Sequence, residues 1–238
     1  MRVSYAGVGQ AAVTGLWIGQ EFPAGFDRYD MSTHVRARET AGALGISGAW
    51  QEDDRWRERD LGEFSGLSEA EQKALNARSV ELRDQQPWSW CPPGGESFAT
   101  GVSQRVKDIF DTYNRKAAGQ RVIVISHDGT IGVAQYILER KTPDQWFEEK
   151  QRNTRELWNC QAVHYTRREP ETGEIADQLR WMRSVCAWNP AASWNGGEWI
   201  AIPPRRRYSD AELLASVEKY PRLFAPDTSP DSRATYSN

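Results

Sequence analysis

The sequence predicts an α/β protein, a three-layer α/β/α sandwich around a mostly parallel central sheet. Strand-like and helix-like segments alternate along the chain, as a parallel sheet with right-handed crossovers requires. Val122 to Ile125 is an unbroken β-branched run between a Gly119-Gln120 turn and Gly129, the signature of a strand buried on both faces. That run stops at Ser126, His127 and Asp128, and a helix is expected from Gly129 to Leu138. Polar side chains are thereby set at the carboxyl edge of the sheet, where open α/β folds bind ligands.

Taken in order, Gly7 to Gln20 carries Val8, Ala12 and Leu16 at helical spacing and reads as an amphipathic helix weakened by Gly9 and Gly15. Phe26 to Met31 reads as a strand. Ser32 is a suitable N-cap for a helix from His34 to Leu44, with Val35, Ala41 and Leu44 on its apolar side, closed by Gly45 and Gly48. Ala49 to Gln51 is one more short strand, and Arg55 to Asp60 is a dense charge run that in isolation reads as a solvated face. Ser68 with Glu71 is a capping box opening a helix to Ala77.

Trp88 to Gly95 is a loop by composition, and a long helix is expected from Glu96 to Ala118 with Val102, Val106, Ile109 and Tyr113 on one side. Pro143 to Lys150 is a short helix. Leu157 to Thr166 and Gln178 to Val185 are strands about a turn at Glu169 to Glu174. After Cys186 the composition changes. Residues 187–238 form an expected arm, with Trp188, Trp194 and Trp199, the basic run Arg205-Arg206-Arg207, a helix capped by Ser209 and Glu212, and a Pro/Ser/Asp tail from Ala225. Residues 1–186 form the main domain.

The bulk numbers narrow the function. A chain of 238 residues, 39% hydrophobic and 26% charged, suits one domain with an appendage. A net charge of −3 disfavours a nucleic-acid or membrane surface as its main purpose. No run reaches membrane-spanning length and the N-terminus lacks an apolar signal region, so a cytoplasmic location is expected. Cys91, Cys160 and Cys186 are odd in number and widely spaced, and there are only three histidines. Neither a disulfide framework nor a metal centre is expected.

Several separated segments share one resemblance. Ser32-Thr33-His34-Val35-Arg36-Ala37-Arg38-Glu39-Thr40-Ala41 resembles the S-x-x-x-R-A-x-x-T-A segment of the histidine phosphatase superfamily, the phosphoglycerate-mutase-like fold. Arg57 to Leu67 is similar to its x-E-x-x-x-G-x-x-x-G-L block. Pro93-Gly94-Gly95-Glu96-Ser97 and Ser126-His127-Asp128-Gly129 resemble its P-G-G-E-S loop and S-H-x-G strand end. Ser4 and Gly7 to Ala11 match its L-T-x-x-G-x-x-Q-A helix start. The motifs run in the family's order over residues 3–185.

The resemblance implies phosphoryl transfer through a phosphohistidine, with small phosphomonoesters as substrates and no metal or organic cofactor. Arg36 would grip phosphoryl oxygens with its planar fork, and His127 would donate to the same oxygens. Glu58 would be the general acid toward the leaving oxygen. Arg59, Ser126, Asp128 and Gly129 are expected to line the substrate site. The family's nucleophile lies in an R-H-G-E motif at the end of a first strand, ahead of the L-T-x-x-G helix, and no Arg-His-Gly occurs in this sequence. The expected fold therefore lacks that strand, and the chain alone is expected to be inactive.

A phosphatase is the reading favoured over a phosphomutase, because the connection from Gly66 to Pro93 is short. A catalytically inactive anion-binding or scaffold protein is the rival. His34, in an ordinarily apolar helix position, and His164, in a distant strand, are poor replacements for the nucleophile. Trp199 to Ile202 has strand character that could refill the empty place. Partners are expected to be a small phosphorylated molecule and no nucleic acid or membrane, with a homodimer left open.

Overall fold

The computed structural model of the chain describes residues 1–152, 155–204 and 207–221. Arg205, Arg206 and the tail from Ala225 lie outside the described residues. Met1–Pro203 is one compact unit and Pro204–Asn238 a second.

In chain order the first unit contains α1 (Tyr5–Glu21), β1 (Arg28–Met31), α2 (Val35–Ala43), β2 (Trp50–Glu52), α3 (Glu69–Gln85), α4 (Ser103–Lys116), β3 (Val122–Ile125), α5 (Asp128–Leu138), α6 (Pro143–Arg152), β4 (Ala162–Thr166), β5 (Trp181–Val185) and β6 (Ile200–Ala201). The alternation produces the expected α/β fold. β2, β1 and β3 form a parallel sheet in that order, with Met31 level with Glu52 on one side and Ile125 on the other. β4, β5 and β6 have no crossover helix between them and form an antiparallel sheet. The second unit contains α7 (Asp210–Val217), whose Ser209–Glu212 capping box is formed as expected.

The core lies under α4. Val102, Val106 and Ile109 are fully buried against Trp56, Val133 and Ala134, on the side of the helix that its spacing marks as apolar. Five residues of π-helix, Phe98–Val102, precede α4 and replace the first turn of the long helix expected from Glu96. Asp30, fully buried in β1, ties this helix to the sheet. Its Oδ2 accepts from the Tyr113 hydroxyl at 2.5 Å and from Arg28 Nε at 2.7 Å, while Trp56 Nε1 donates to the same hydroxyl at 3.1 Å.

Three expectations are corrected. Val8, Ala12 and Leu16, expected on the core face of the first helix, are exposed, and its buried residues are Gly7, Ala11, Thr14, Gly15 and Ile18. Small side chains let α1 lie directly on the end of α2, so close that a Cβ on Gly15 would stand 1.7 Å from the Leu44 carbonyl oxygen. Val122 to Ile125 are only half-buried, because among the described residues β3 ends its sheet and pairs with β1 alone. Trp199 to Ile202 does not join the parallel sheet. β6 pairs antiparallel with β5, Trp181 opposite Ala201.

The Gly15 contact makes a stability prediction. Gly15→Ala gains helix propensity but drives a methyl into backbone, so it is expected to destabilise the fold by about 1–3 kcal/mol in urea denaturation. Gly42→Ala, in α2 with nothing within 4 Å of its added Cβ, is expected to stabilise by up to about 1 kcal/mol.

Candidate active site

Parallel pairing brings the ends of β1 and β3 to one level. The Ser32 amide donates to the Ile125 carbonyl at 2.9 Å, continuing the ladder past Met31, so Ser32 and His127 emerge side by side. His127 is the N-cap residue of α5 and is buried. Its Nε2 lies 2.7 Å from Ser32 Oγ, and its Nδ1 accepts from Arg36 Nε at 3.1 Å. A guanidinium only donates, so Nδ1 carries no proton and Nε2–H is the donor to Ser32. Burial first, then the charge of Arg36 and the neighbouring His34 and Arg105, hold the imidazole neutral, with its pKa pushed down to about 3.

His34 belongs to this group. Its ring centroid is 4.8 Å from that of His127, edge to face, and its Nδ1 is buried without a hydrogen-bond partner. Burial, then Arg36, lowers its pKa, opposed by Glu58. His34 stands as the N-cap residue of α2, and its amide donates to Ser32 Oγ at 3.2 Å. Ser32 is thus no simple helix cap. It joins the two histidine positions. His164, by contrast, sits on β4 against Phe22 and Trp199, away from this group.

The segment after β2 supplies the carboxylate. Ser126 Oγ donates to the Trp56 carbonyl at 2.8 Å and Thr130 Oγ1 to the Arg57 carbonyl at 2.6 Å, which fixes residues 56–58 on the start of α5. Glu58 then accepts from the Arg59 amide at 2.7 Å and, through its other oxygen, from the Gly129 amide at 3.4 Å. A Cβ on Gly129 would stand 2.6 Å from the Glu58 carboxylate, so a side chain there would displace that carboxylate. Asp128 is exposed beside it. Ser126 donates its hydroxyl to the backbone of the segment after β2.

The charge run is anchored rather than merely solvated. Arg57 pairs with Asp54 at 2.8 Å and with Glu96 at 2.7 Å. Glu96 also accepts from Arg105 and from the Asp60 amide at 3.1 Å. The two loops cross at their glycines: a Cβ on Gly62, whose φ is +53°, would stand 2.1 Å from the Pro93 carbonyl oxygen. Arg59 packs its guanidinium over Phe98 at 4.2 Å and over Trp90 at 4.7 Å, and burial lowers its pKa. Trp90 is buried with its indole N–H on Ser79 Oγ, and Trp88 packs against Tyr136 and Trp146, so both tryptophans of the loop are packing residues.

A guanidinium, two imidazoles and a carboxylate gather at the carboxyl ends of parallel strands, where open α/β folds bind ligands. Residues 4–177 match the Histidine phosphatase superfamily (branch 1). The chain belongs to that superfamily. It is 30% identical over 94 residues to a 2,3-bisphosphoglycerate-dependent phosphoglycerate mutase of Rhizobium rhizogenes (strain K84), a match spanning 39% of this chain and 44% of the mutase, less than half of that relative's length. Among solved structures it resembles mycobacterial glucosyl-3-phosphoglycerate phosphatase in its native form, with 25% identity and a TM-score of 0.53 over 61% of this chain and 73% of the other. The α-ribazole phosphatase of Shigella flexneri shares the fold, with 18% identity and a TM-score of 0.54 over 61% and 71% of the two chains.

Neutral buried histidines set the acid stability. His127, at about 3, and His164, lowered by burial to about 4, lie below the roughly 6.5 of an unfolded histidine. The unfolded chain therefore binds more protons between these values, and stability falls as pH drops from about 6.5 toward 4. Urea midpoints measured at pH 7 and pH 5 are expected to show this loss, and His127→Gln with His164→Gln is expected to reduce it.

Proposed function

We propose that the protein carries out phosphomonoester chemistry of the histidine phosphatase type, hydrolysing small phosphorylated substrates without a metal or organic cofactor. The observation that supports this most is the convergence of Arg36, His127 and Glu58, from three separate segments, around the ends of β1 and β3. In this reading Arg36 holds the equatorial oxygens of the phosphoryl group, His127 donates to them, and Glu58 passes a proton to the leaving oxygen. Arg59 and the Gly129 amide border the same place. A histidine nitrogen takes the phosphoryl group as the ester oxygen leaves, and water then takes it from that nitrogen and releases phosphate.

The nucleophilic histidine of this scheme comes from a strand ending in Arg-His-Gly, a sequence absent from the 238 residues. In this reading that strand would lie between the two sheets. β3 and β4 are each the last strand of their sheet, and among the described residues no strand pairs with their outer edges. The same helices reach both strands: α5 begins at the end of β3, and Glu139 just beyond it accepts from the β4 Tyr165 hydroxyl at 2.7 Å. α1 packs on α2 and meets β4 through Phe22 against His164.

Two rivals rest on particular observations. Both ring nitrogens of His127 are already engaged, which favours an inactive anion-binding protein. The match to the mutase favours phosphoryl transfer between two hydroxyls of phosphoglycerate rather than to water. Among the described residues no helix is long and apolar enough to cross a membrane and no cluster of metal-ligating side chains occurs. We place the protein in the cytoplasm, a reading supported by three free cysteines.

The chain as it stands is expected to release no phosphate from p-nitrophenyl phosphate. The same chain with an N-terminal extension that carries a strand ending in Arg-His-Gly is expected to turn over, with acid-labile phosphohistidine visible by ³¹P NMR. Arg36→Ala or His127→Ala in the extended protein is expected to lower kcat by about 10²-fold or more. An extended protein that binds phosphate but never turns over establishes the scaffold reading. Conversion of 3-phosphoglycerate to its 2-isomer without phosphate release establishes the mutase.

A further inference from the structure

We propose that α1 is the contact surface of a symmetric dimer, in which the helix crosses the α1 of a second copy antiparallel about a two-fold axis at Ala12. The helix is unusual for one lying on a surface. Of its 17 residues only the last, Glu21, is charged. Tyr5, Val8, Gly9, Ala12, Leu16 and Gly19 fall within an arc of roughly 100°, all are exposed, and none is charged. Tyr5 is fully exposed and Leu16 71% exposed, opposite the face that packs on α2. A contiguous stripe of this kind, as distinct from single apolar residues, marks an interaction surface.

The stripe is complementary to itself. An antiparallel crossing at Ala12 sets Tyr5 over Gly19 of the other copy, Val8 against Leu16, and Ala12 against Ala12. Gly9 and Gly19 have nothing within 4 Å of where a Cβ would stand, leaving room for the larger side chains that this symmetry brings to them. The ends agree in charge as well. Arg2, 81% exposed and paired with Glu39, comes beside Glu21 of the other copy, itself paired with Arg183. The helix dipoles oppose one another. A lipid surface fits less well, since the flanks of the stripe carry no lysine or arginine. One helix per copy covers less than the roughly 800 Å² per partner of a standard interface, so the dimer is expected to be reversible and concentration-dependent.

Sedimentation velocity from about 1 to about 300 µM, in reducing buffer, is expected to show a monomer–dimer equilibrium. Leu16→Glu and, separately, Val8→Glu are expected to weaken it about tenfold or more while leaving the urea midpoint unchanged. In a Cys91→Ser background, Ala12→Cys is expected to link to its own copy when oxidised glutathione accepts the two electrons and two protons of the thiol pair. Gln20→Cys, far from the axis, is expected to stay unlinked. A monomer at every concentration, an association insensitive to both glutamates, or linkage through Gln20→Cys in place of Ala12→Cys overturns the proposal.

Discussion

The site depends on the parallel pairing of β1 with β3. Because Met31 and Ile125 are in register, the chain leaves both strands at the same height, and Ser32 faces His127 across one hydrogen bond. Everything else is brought to that point. α2 follows Ser32 closely enough to carry Arg36 back onto the imidazole, and α5 begins at His127, so its first amides are presented beside the ring. A slip of one residue in this pairing would turn Ser32 to the other face of the sheet and take Arg36 away from Nδ1.

Around this point like charges are kept apart by being individually occupied. Arg57 and Arg105 share Glu96, Arg55 is paired with Asp53, and Arg59 lies over aromatic rings. A pair in which one partner is buried loses much of its stabilisation when either charge is removed. Glu96 therefore ties three segments together: the residues after β2, the glycine-rich loop and α4. The neutral state of His127 follows from the same arrangement, since a second positive charge beside Arg36 would sit in a poorly solvated place.

Much of this could be read from the residues. Val102, Val106 and Ile109 at helical spacing named the core side of α4, the Ser68–Glu71 box marked the start of α3, and the polar end of Val122–Ile125 marked the site. The short motifs that carried the family resemblance also selected Arg36, Glu58 and His127. What escaped the sequence depends on partners distant in the chain. Periodicity shows that a helix has two sides and is silent on which faces inward, and in α1 Gly7, Ala11, Thr14 and Gly15 pack together with Ile18, because α2 lies too close at Gly15 for a side chain. Composition suggests a fully buried β3, whereas burial is set by whether a neighbour pairs with its second edge. His34 stands at an ordinarily apolar helix position, yet its proximity to the sheet end sets it against His127. Ser32 carried a local signal for capping, and that signal hid a long-range bond. A polar residue directly after a buried strand, level with another such strand end, is the hint that could have found it.

Among the described residues nothing pairs with the second edge of β3. Val122 to Ile125 present backbone donors and acceptors on that side with no charge, proline or bulge in the strand to discourage a stranger. Natural sheets usually blunt such margins, and a short stretch rich in valine and isoleucine is a template on which extended segments of other chains accumulate. Any chain that leaves this edge unpaired is expected to begin aggregating at this strand.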